Sequence, residues 1–258
     1  MLYIQFKSYR SFYLHTDGWG DAIPNDIVTL LENVIKHFYD NLYKRRILSK
    51  QVFIKNSSNA IPPTDYPYIS KGQYCNTIYL DTRNRAWAQF SYQFSHELCH
   101  HIIDKVYRGE NDRFGWFEEA LCELASIYCI DSMSNTWQTK PPYANWRDYA
   151  NSLRDYVTAI TDNPQYTIAT PFNRWLERNL NELYQNRYKR DENRIIALKL
   201  LPLFKADTKL WETIQFLKFT NVTKSMDFKS FLASWKKAAP NRLRGKIASI
   251  ESILLDEH

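Results

Sequence analysis

The sequence predicts an α+β protein: a small mixed or antiparallel sheet packed on a helix that carries a His-Glu-x-x-His motif, followed by a mostly α-helical lobe. Short β-branched and aromatic runs cluster in the first eighty residues. Apolar residues at helical spacing dominate after residue 85. Pro141-Pro142 is the predicted boundary between a mixed α/β half, residues 1–140, and a helical lobe, residues 141–258.

The first half is predicted to combine strands with one helix. We expect strands at 2–6, 13–15, 51–55 and 75–80, a turn at 17–21, a helix at 26–45 and a loop at 56–68. The helix is indicated by apolar residues between Ile27 and Leu42 that share one face, with Asp26 as its N-cap. An Asn-Ser-Ser-Asn string and three prolines indicate the loop.

Helical patterns make up most of the remaining chain. A long pattern at 85–107 and a second at 117–130 are separated by a break at Gly109-Glu110-Asn111-Asp112. Further helices are predicted near 145–160, 172–187, 192–204, 208–220 and 227–238. The candidate functional residues lie in or beside these two long patterns: the first contains the His-Glu-x-x-His motif, and the second contains most of an acidic segment.

Charge is distributed unevenly along the chain, whose net charge is +6. Residues 91–140 carry 4 basic and 8 acidic side chains, between flanks of net positive charge. This differs from the clustered Lys and Arg of a nucleic-acid footprint, and the acidic band is predicted to hold a cation. No apolar stretch reaches membrane-spanning length, and the N-terminal segment lacks the pattern of a signal peptide. With only four cysteines and no export signal, we expect a cytoplasmic protein with reduced thiols. The charge pattern and the lack of long apolar stretches predict no nucleic-acid or membrane partner.

The strongest motif is His96-Glu97-Leu98-Cys99-His100, which has the form His-Glu-x-x-His. Side chains four residues apart on a helix lie on the same face, so both imidazoles can bind one ion. Zn²⁺ accepts neutral imidazole nitrogen, and Glu97 can take a proton from a metal-bound water. A catalytic zinc usually has a third protein ligand, and the acidic segment 116–123 offers candidates for it.

Together these two segments resemble the gluzincins, the zinc peptidases similar to thermolysin and aminopeptidase N. In the aminopeptidase N-like members, eighteen residues separate the motif from a Glu within a Trp-x-x-Glu-Gly string. Here residues 101–118 are eighteen residues, Glu119 follows them, and Trp116 lies three positions before it. Ala120 stands where the family usually has Gly, and the resemblance covers residues 94–128.

This resemblance implies that His96, His100 and Glu119 bind Zn²⁺ and that Glu97 is the catalytic base. Glu118 is the alternative third ligand. Adjacent helical residues point about 100° apart, so only one of the two carboxylates can readily face the ion. We expect that one to be Glu119.

Other polar residues near the motif receive less specific predictions. Glu123 shares a helix face with Glu119 and is placed to accept a hydrogen bond from a zinc-bound imidazole; the alternative is an ordinary exposed carboxylate. His101 is expected to be a packed or surface histidine, and Asp104 a surface residue on the helix. Cys99 and Cys122 are expected to be small buried residues, and a thiolate ligand is an alternative that the predicted set does not need.

Two further site predictions concern the substrate. Gluzincins stabilise the oxyanion with a later Tyr or His, and Tyr188 is our candidate, with Tyr184 as the alternative. The Gly-x-Met-x-Asn string of the aminopeptidase N-like enzymes is absent, so their specificity does not carry over. In its place we predict an edge strand in which Thr77, Ile78 and Tyr79 pair with an extended peptide.

The sequence therefore predicts a zinc-dependent peptidase that acts on a peptide or protein. A metal-activated water would attack the peptide bond with Glu97 as the general base. The alternative is a catalytically silent protein on the same scaffold that acts as a binding or regulatory module. The sequence does not distinguish an endopeptidase from an aminopeptidase, and it leaves the oligomeric state open.

Overall fold

A computed structural model describes residues 2–40, 42, 50–105 and 113–256 of the chain. It has an α+β architecture, as predicted, and its sheet is mixed and has five strands. None of the helices in these residues combines the length and apolar character that a membrane crossing requires.

The sheet contains both parallel and antiparallel neighbours. Its strands are β1 (Tyr3–Gln5), β2 (Phe12–His15), β3 (Gln51–Asn56), β4 (Tyr68–Lys71) and β5 (Cys75–Leu80). In space their order is β1-β2-β3-β5-β4. The β2–β3 and β3–β5 pairs are parallel, whereas β1–β2 and β4–β5 are antiparallel. Thus β4 and β1 are the edge strands, and β5 is internal.

One face of the central strands is buried in the core. Alternate residues of a strand point to opposite faces, and the fully buried set occupies one of them. On β3 and β5 these are Val52, Ile54, Ile78 and Leu80. Phe12 and Leu14 of β2 are also fully buried.

Eight α-helices are described within the ranges given above. They are α1 (Pro24–Tyr39), α2 (Trp87–Ile103), α3 (Gly115–Thr136), α4 (Tyr149–Thr161), α5 (Phe172–Gln185), α6 (Arg190–Ala206), α7 (Phe228–Ala238) and α8 (Asn241–Leu255). The predicted helix at 208–220 is instead a 3-10 segment, Thr208–Phe219.

Several predicted boundaries differ from the observed ones. Helix α1 begins at Pro24 rather than at an Asp26 cap, because proline suits the first helical turn, where its missing N–H has no partner to lose. The predicted end of this helix at 45 and the break at 109–112 lie outside the described residues. The sequence analysis did not assign β4 or α8.

The chain forms two compact units. The first comprises Met1–His101 and Ala125–Ile160, and it contains the sheet. The second comprises Ile102–Leu124 and Thr161–His258. Its core is rich in aromatic rings, including the stacked pair Phe114 and Phe231, whose centroids are 4.3 Å apart. The division into residues 1–140 and 141–258 remains a prediction.

Candidate metal centre

The His-Glu-x-x-His motif lies in α2, a helix that is largely buried. Phe90, Phe94 and Leu98 are fully buried. Glu97 is 3% exposed and His100 7% exposed, so both lie in an environment where polar groups need partners. His96 is only partly buried. The motif therefore faces the interior on one side and is accessible at His96.

The two motif histidines lie side by side on α2. Their ring centroids are 5.0 Å apart, with the ring planes at 66° to each other. This is the neighbour relationship that a four-residue spacing on a helix produces. The two rings are therefore close neighbours on α2, and their joint role as ligands of one ion remains a prediction.

A cysteine of α3 joins the two histidines. Ligand atoms of His96, His100 and Cys122 all lie within 4.8 Å of one another. A tetrahedral Zn²⁺ with nitrogen and sulfur ligands would bring these atoms to about 3.3–3.6 Å from one another. The donor types are ones that Zn²⁺ prefers, and small side-chain movements would give the required separations. These residues could therefore hold a metal ion.

Polar contacts join the middle of α3 to α2. The Ser126 hydroxyl, one turn after Cys122, donates to the Tyr92 carbonyl, one turn before His96, at 2.9 Å. Further along, the Cys129 thiol is hydrogen-bonded to Ser95.

The predicted third ligand, Glu119, binds an arginine. Nε and Nη2 of Arg187 both donate to its Oε1 atom, at 3.0 and 2.8 Å. Glu119 is not part of the group formed by His96, His100 and Cys122. Its role as a zinc ligand remains a prediction.

The alternative ligand, Glu118, lies in a different environment. It is almost fully buried and close enough to Lys105 for its charge to act on that side chain. Burial lowers the pKa of Lys105 to about 8, and Glu118 opposes this shift. The Lys105 ammonium donates to the Thr220 hydroxyl at 2.5 Å and to the Leu217 carbonyl at 3.3 Å.

Glu123 forms a second carboxylate–arginine pair, one turn after Glu119. Nε of Arg194 donates to its Oε1 at 2.5 Å, and Nη1 of Arg194 donates to the Tyr166 hydroxyl at 2.7 Å. Glu123 is 8% exposed, so the alternative of an ordinary exposed carboxylate was wrong. Its predicted hydrogen bond with a zinc-bound imidazole remains a prediction.

His101 is a packed residue, as expected, and it links α2 to the sheet. The Asn76 amide Nδ2 lies 2.8 Å from its Nδ1, and the Asn76 Oδ1 accepts from the Gly72 N–H. Because an amide nitrogen only donates, Nδ1 is the acceptor, and neutral His101 carries its proton on Nε2. Asp104 forms an ion pair with Lys218, with 3.7 Å between Oδ2 and Nζ.

The opposite end of β5 is also joined to α2. The Asp81 N–H donates to Gln93 Oε1 at 2.8 Å, and Gln93 Nε2 donates to the Asp81 carbonyl at 2.9 Å. With the contact between Asn76 and His101, this makes the strand and the helix antiparallel. The motif lies between the two points of contact.

The edge-strand prediction for residues 77–79 was wrong. Thr77, Ile78 and Tyr79 pair with β3 on one side and with β4 on the other. Their main chain is therefore committed within the sheet. The edge position belongs to β4, because the three-residue loop after Lys71 folds this short strand back onto β5.

The two tyrosine candidates differ in exposure. Tyr188 is 67% exposed, and its ring centroid lies 5.4 Å from the Arg187 guanidinium. Tyr184 is half-buried, with its ring edge-on to Phe114 and 3.8 Å from the Arg113 guanidinium. Burial raises the pKa of Tyr184 above its usual value. An oxyanion role for either tyrosine remains a prediction.

Comparison with known proteins gives no assignment. The chain matches no family model, and no curated protein is significantly similar to it. The likeness to gluzincins therefore depends on the motif and spacing within residues 94–128.

Sequence reasoning missed the two arginines that bind the acidic helix. Arg187 and Arg194 lie 68 and 71 residues from their partners, and no local pattern marks either of them. Cys122 was considered as a ligand but was thought unnecessary. Its place three positions after Glu119, in the segment predicted to supply the third ligand, was the available signal.

Proposed function

We propose that this chain is a zinc-dependent peptidase in which His96 and His100 bind the metal and Glu97 is the general base. The observation that carries the proposal is the convergence of two imidazoles and the Cys122 sulfur within 4.8 Å, next to a buried glutamate. Two histidines one helical turn apart, with Glu after the first, are the arrangement that this reaction uses.

Glu97 performs the proton transfers in this mechanism. Zinc held by the histidines would polarise the scissile carbonyl and make its bound water a stronger acid. The Glu97 carboxylate accepts the proton of the attacking water and donates it to the leaving amine. Burial of Glu97 supports this role, because a carboxylate shielded from bulk water keeps the proton for the leaving group.

The third protein ligand is proposed to come from α3. The resemblance to gluzincins favours Glu119, whereas the observed donor group contains Cys122. The two residues are three positions apart and lie on neighbouring parts of one helix face. Both alternatives leave a coordination position for water.

A peptide substrate is proposed to bind along β4 instead of the predicted 77–79 segment. This edge strand has no second neighbouring strand among the described residues, so an extended peptide can add to it through main-chain hydrogen bonds. The contacts of β5 with α2 bracket the motif, which puts Glu97 level with the middle of β5. Through the register, this level corresponds to Ile69 and its neighbours in β4.

The remaining expectations belong to the same proposal. Tyr188 is the proposed oxyanion donor, with Tyr184 as the alternative. The partner is a peptide or protein rather than a nucleic acid or a membrane, and the proposed compartment is the cytoplasm.

The decisive test replaces Glu97 with Gln. Purified wild-type and E97Q proteins are loaded with Zn²⁺, and cleavage of a fluorescence-quenched peptide library is measured together with zinc content. We expect the variant to keep its zinc and to lose at least about 10²-fold in activity, because only the proton-accepting group is removed.

Glu212→Gln is the matched control for this test. Glu212 lies in the 3-10 segment and forms an ion pair with Arg242 of α8. The substitution makes the same chemical change as E97Q and should leave activity unchanged. Equal turnover by E97Q and wild type would eliminate the mechanism. Absence of cleavage by the zinc-loaded wild type would favour the alternative below.

The alternative is a catalytically silent metal-binding protein that serves as a binding module. The specific observation in its favour is the Cys122 sulfur, because cysteine ligands are common in structural zinc sites. This alternative predicts zinc binding without peptide cleavage in both wild type and E97Q.

A further inference from the structure

The α3 residues that compete for the metal are already in different environments. Cys122 is fully buried, and its sulfur is in the group with the histidine nitrogens. Glu119, almost one turn earlier, accepts two N–H donors from Arg187 on a single oxygen. To bind an ion, Cys122 must lose its thiol proton, whereas Glu119 must share its carboxylate between the ion and Arg187.

The surroundings of Arg187 hold it against Glu119. Its carbonyl accepts a hydrogen bond at 2.8 Å from Asn193, which is 4% exposed. The Arg187 and Glu119 side chains are only 16% and 10% exposed. A charge-assisted pair shielded from water in this way is stronger than a surface pair. Coordination of a metal by Glu119 would weaken that pair by withdrawing charge from the carboxylate.

Cys122 offers a better donor to a borderline-soft cation. Zn²⁺ binds thiolate sulfur at about 2.3 Å, and thiolate ligands favour Zn²⁺ over oxygen-preferring cations such as Mg²⁺. We propose that Cys122 is the third protein ligand, so that the metal is held by two nitrogens and one sulfur while Glu119 stays bound to Arg187. This inference rests on the metal-binding part of the proposed function. As the metal–sulfur bond forms, the thiol releases its proton to solvent.

Binding of Co²⁺ in place of Zn²⁺ shows by absorption spectroscopy whether a thiolate is a ligand. Apo protein, kept reduced, is titrated with Co²⁺, because a cobalt–thiolate bond produces a charge-transfer absorption in the near ultraviolet that nitrogen and oxygen ligands do not. The full chain is used, as wild type and as the variants Cys122→Ser, Glu119→Gln and Cys99→Ser. Cys99 is the matched control, since it is also fully buried but is not in the donor group.

We expect the band in wild type, C99S and E119Q. C122S should lose it and should bind Co²⁺ at least about tenfold more weakly. Wild-type protein that binds Co²⁺ without the band overturns the inference, whether or not C122S folds. A band that persists in C122S, with circular dichroism like that of wild type, overturns it as well.

The outcomes also separate this inference from the proposed function. Cobalt binding without the band, combined with loss of binding in E119Q, refutes the cysteine ligand but leaves the peptidase proposal intact. A cysteine band together with unchanged cleavage by E97Q supports the ligand and refutes the mechanism. If His96→Ala and His100→Ala bind Co²⁺ as tightly as wild type, both proposals fail.

Discussion

Gly20, in the turn before α1, meets Asn84, in the turn before the motif helix α2. Both have positive φ, 68° and 57°. The Asn84 side-chain oxygen accepts from the Asp21 N–H at 3.2 Å, and the Asn84 N–H donates to the Trp19 carbonyl at 2.8 Å. A Cβ atom on Gly20 would lie 2.0 Å from the Asn84 Oδ1 atom. Glycine is therefore required here by both backbone conformation and space.

Replacement of Gly20 by Ala should destabilise the protein by about 1–3 kcal/mol, because Asn84 must move and the positive φ becomes strained. Gly245→Ala is the matched substitution: no atom lies within 4 Å of its added Cβ, and it is inside α8. There we expect stabilisation by about 0.5–1 kcal/mol from higher helix propensity. Equilibrium urea unfolding measures the free energy of unfolding of both variants. Changes of the same sign in the two variants would contradict this account.

At the level of residues, the sequence predicted the pairing of His96 with His100 because a helix repeats locally. It did not predict what would surround Glu119 and Glu123. Their arginine partners come from the α5–α6 region of the chain, so only packing brings them together.

Helices α1 and α3 meet at a partly buried histidine. His37 Nδ1 lies 2.8 Å from the Ser132 hydroxyl, and its Nε2 lies 3.1 Å from the Thr136 hydroxyl. Burial, followed by the charge of Lys36, lowers the pKa of His37 to about 4, although Asp40 opposes the shift. The imidazole is therefore neutral at pH 7, with hydroxyl groups at both nitrogens.

Acidification should weaken this contact between the helices. Between pH 6.5 and 4 the unfolded chain binds a proton at His37 and the folded chain does not, so stability decreases as pH decreases. We expect a loss of about 2 kcal/mol between pH 7 and pH 5 from this residue. Urea unfolding at the two pH values should show it in wild type and not in His37→Gln. An equal loss of stability in both proteins would show that the pH dependence comes from groups other than His37.

The elements that were not predicted differ in how clearly the sequence signals them. Helix α8 has apolar residues at 243, 247, 250 and 254, a helical spacing that the sequence contains. Strand β4 has four residues, too few for its alternation to be distinctive, and Gly72 in the following loop is its main signal. Strand β5 was correctly placed at 75–80, but its neighbours were not. Pairing partners depend on the register of distant segments.

For the whole molecule, the acidic band of residues 91–140 was predicted to hold a cation. Two of its carboxylates, Glu119 and Glu123, hold the guanidinium groups of Arg187 and Arg194. Both arginines come from the basic region that follows the band. The charge pattern is thus satisfied partly within the protein, and a metal would bind next to carboxylates that are already paired.

Metal binding should stabilise the folded chain, because the donors converge only in that state. At a free Zn²⁺ concentration one hundred times Kd, the gain is about 2.7 kcal/mol, which raises Tm by about 5–10 °C for a chain of this size. Thermal unfolding with Zn²⁺ and after chelation measures the shift. It should disappear in His96→Ala and persist in His15→Ala, whose Nδ1 instead accepts from the Asp17 N–H. An equal shift in both variants would place zinc elsewhere.

The sequence by itself determined the α+β class, the helix that carries the motif and the proximity of His96 to His100, because these follow from repeats of a few residues along one element. Tertiary structure alone decided that Cys122 joins the histidines, that arginines bind Glu119 and Glu123, and that β5 lies inside the sheet. Each of these features joins segments far apart in the chain, whose meeting depends on how the elements pack and in which register they pair.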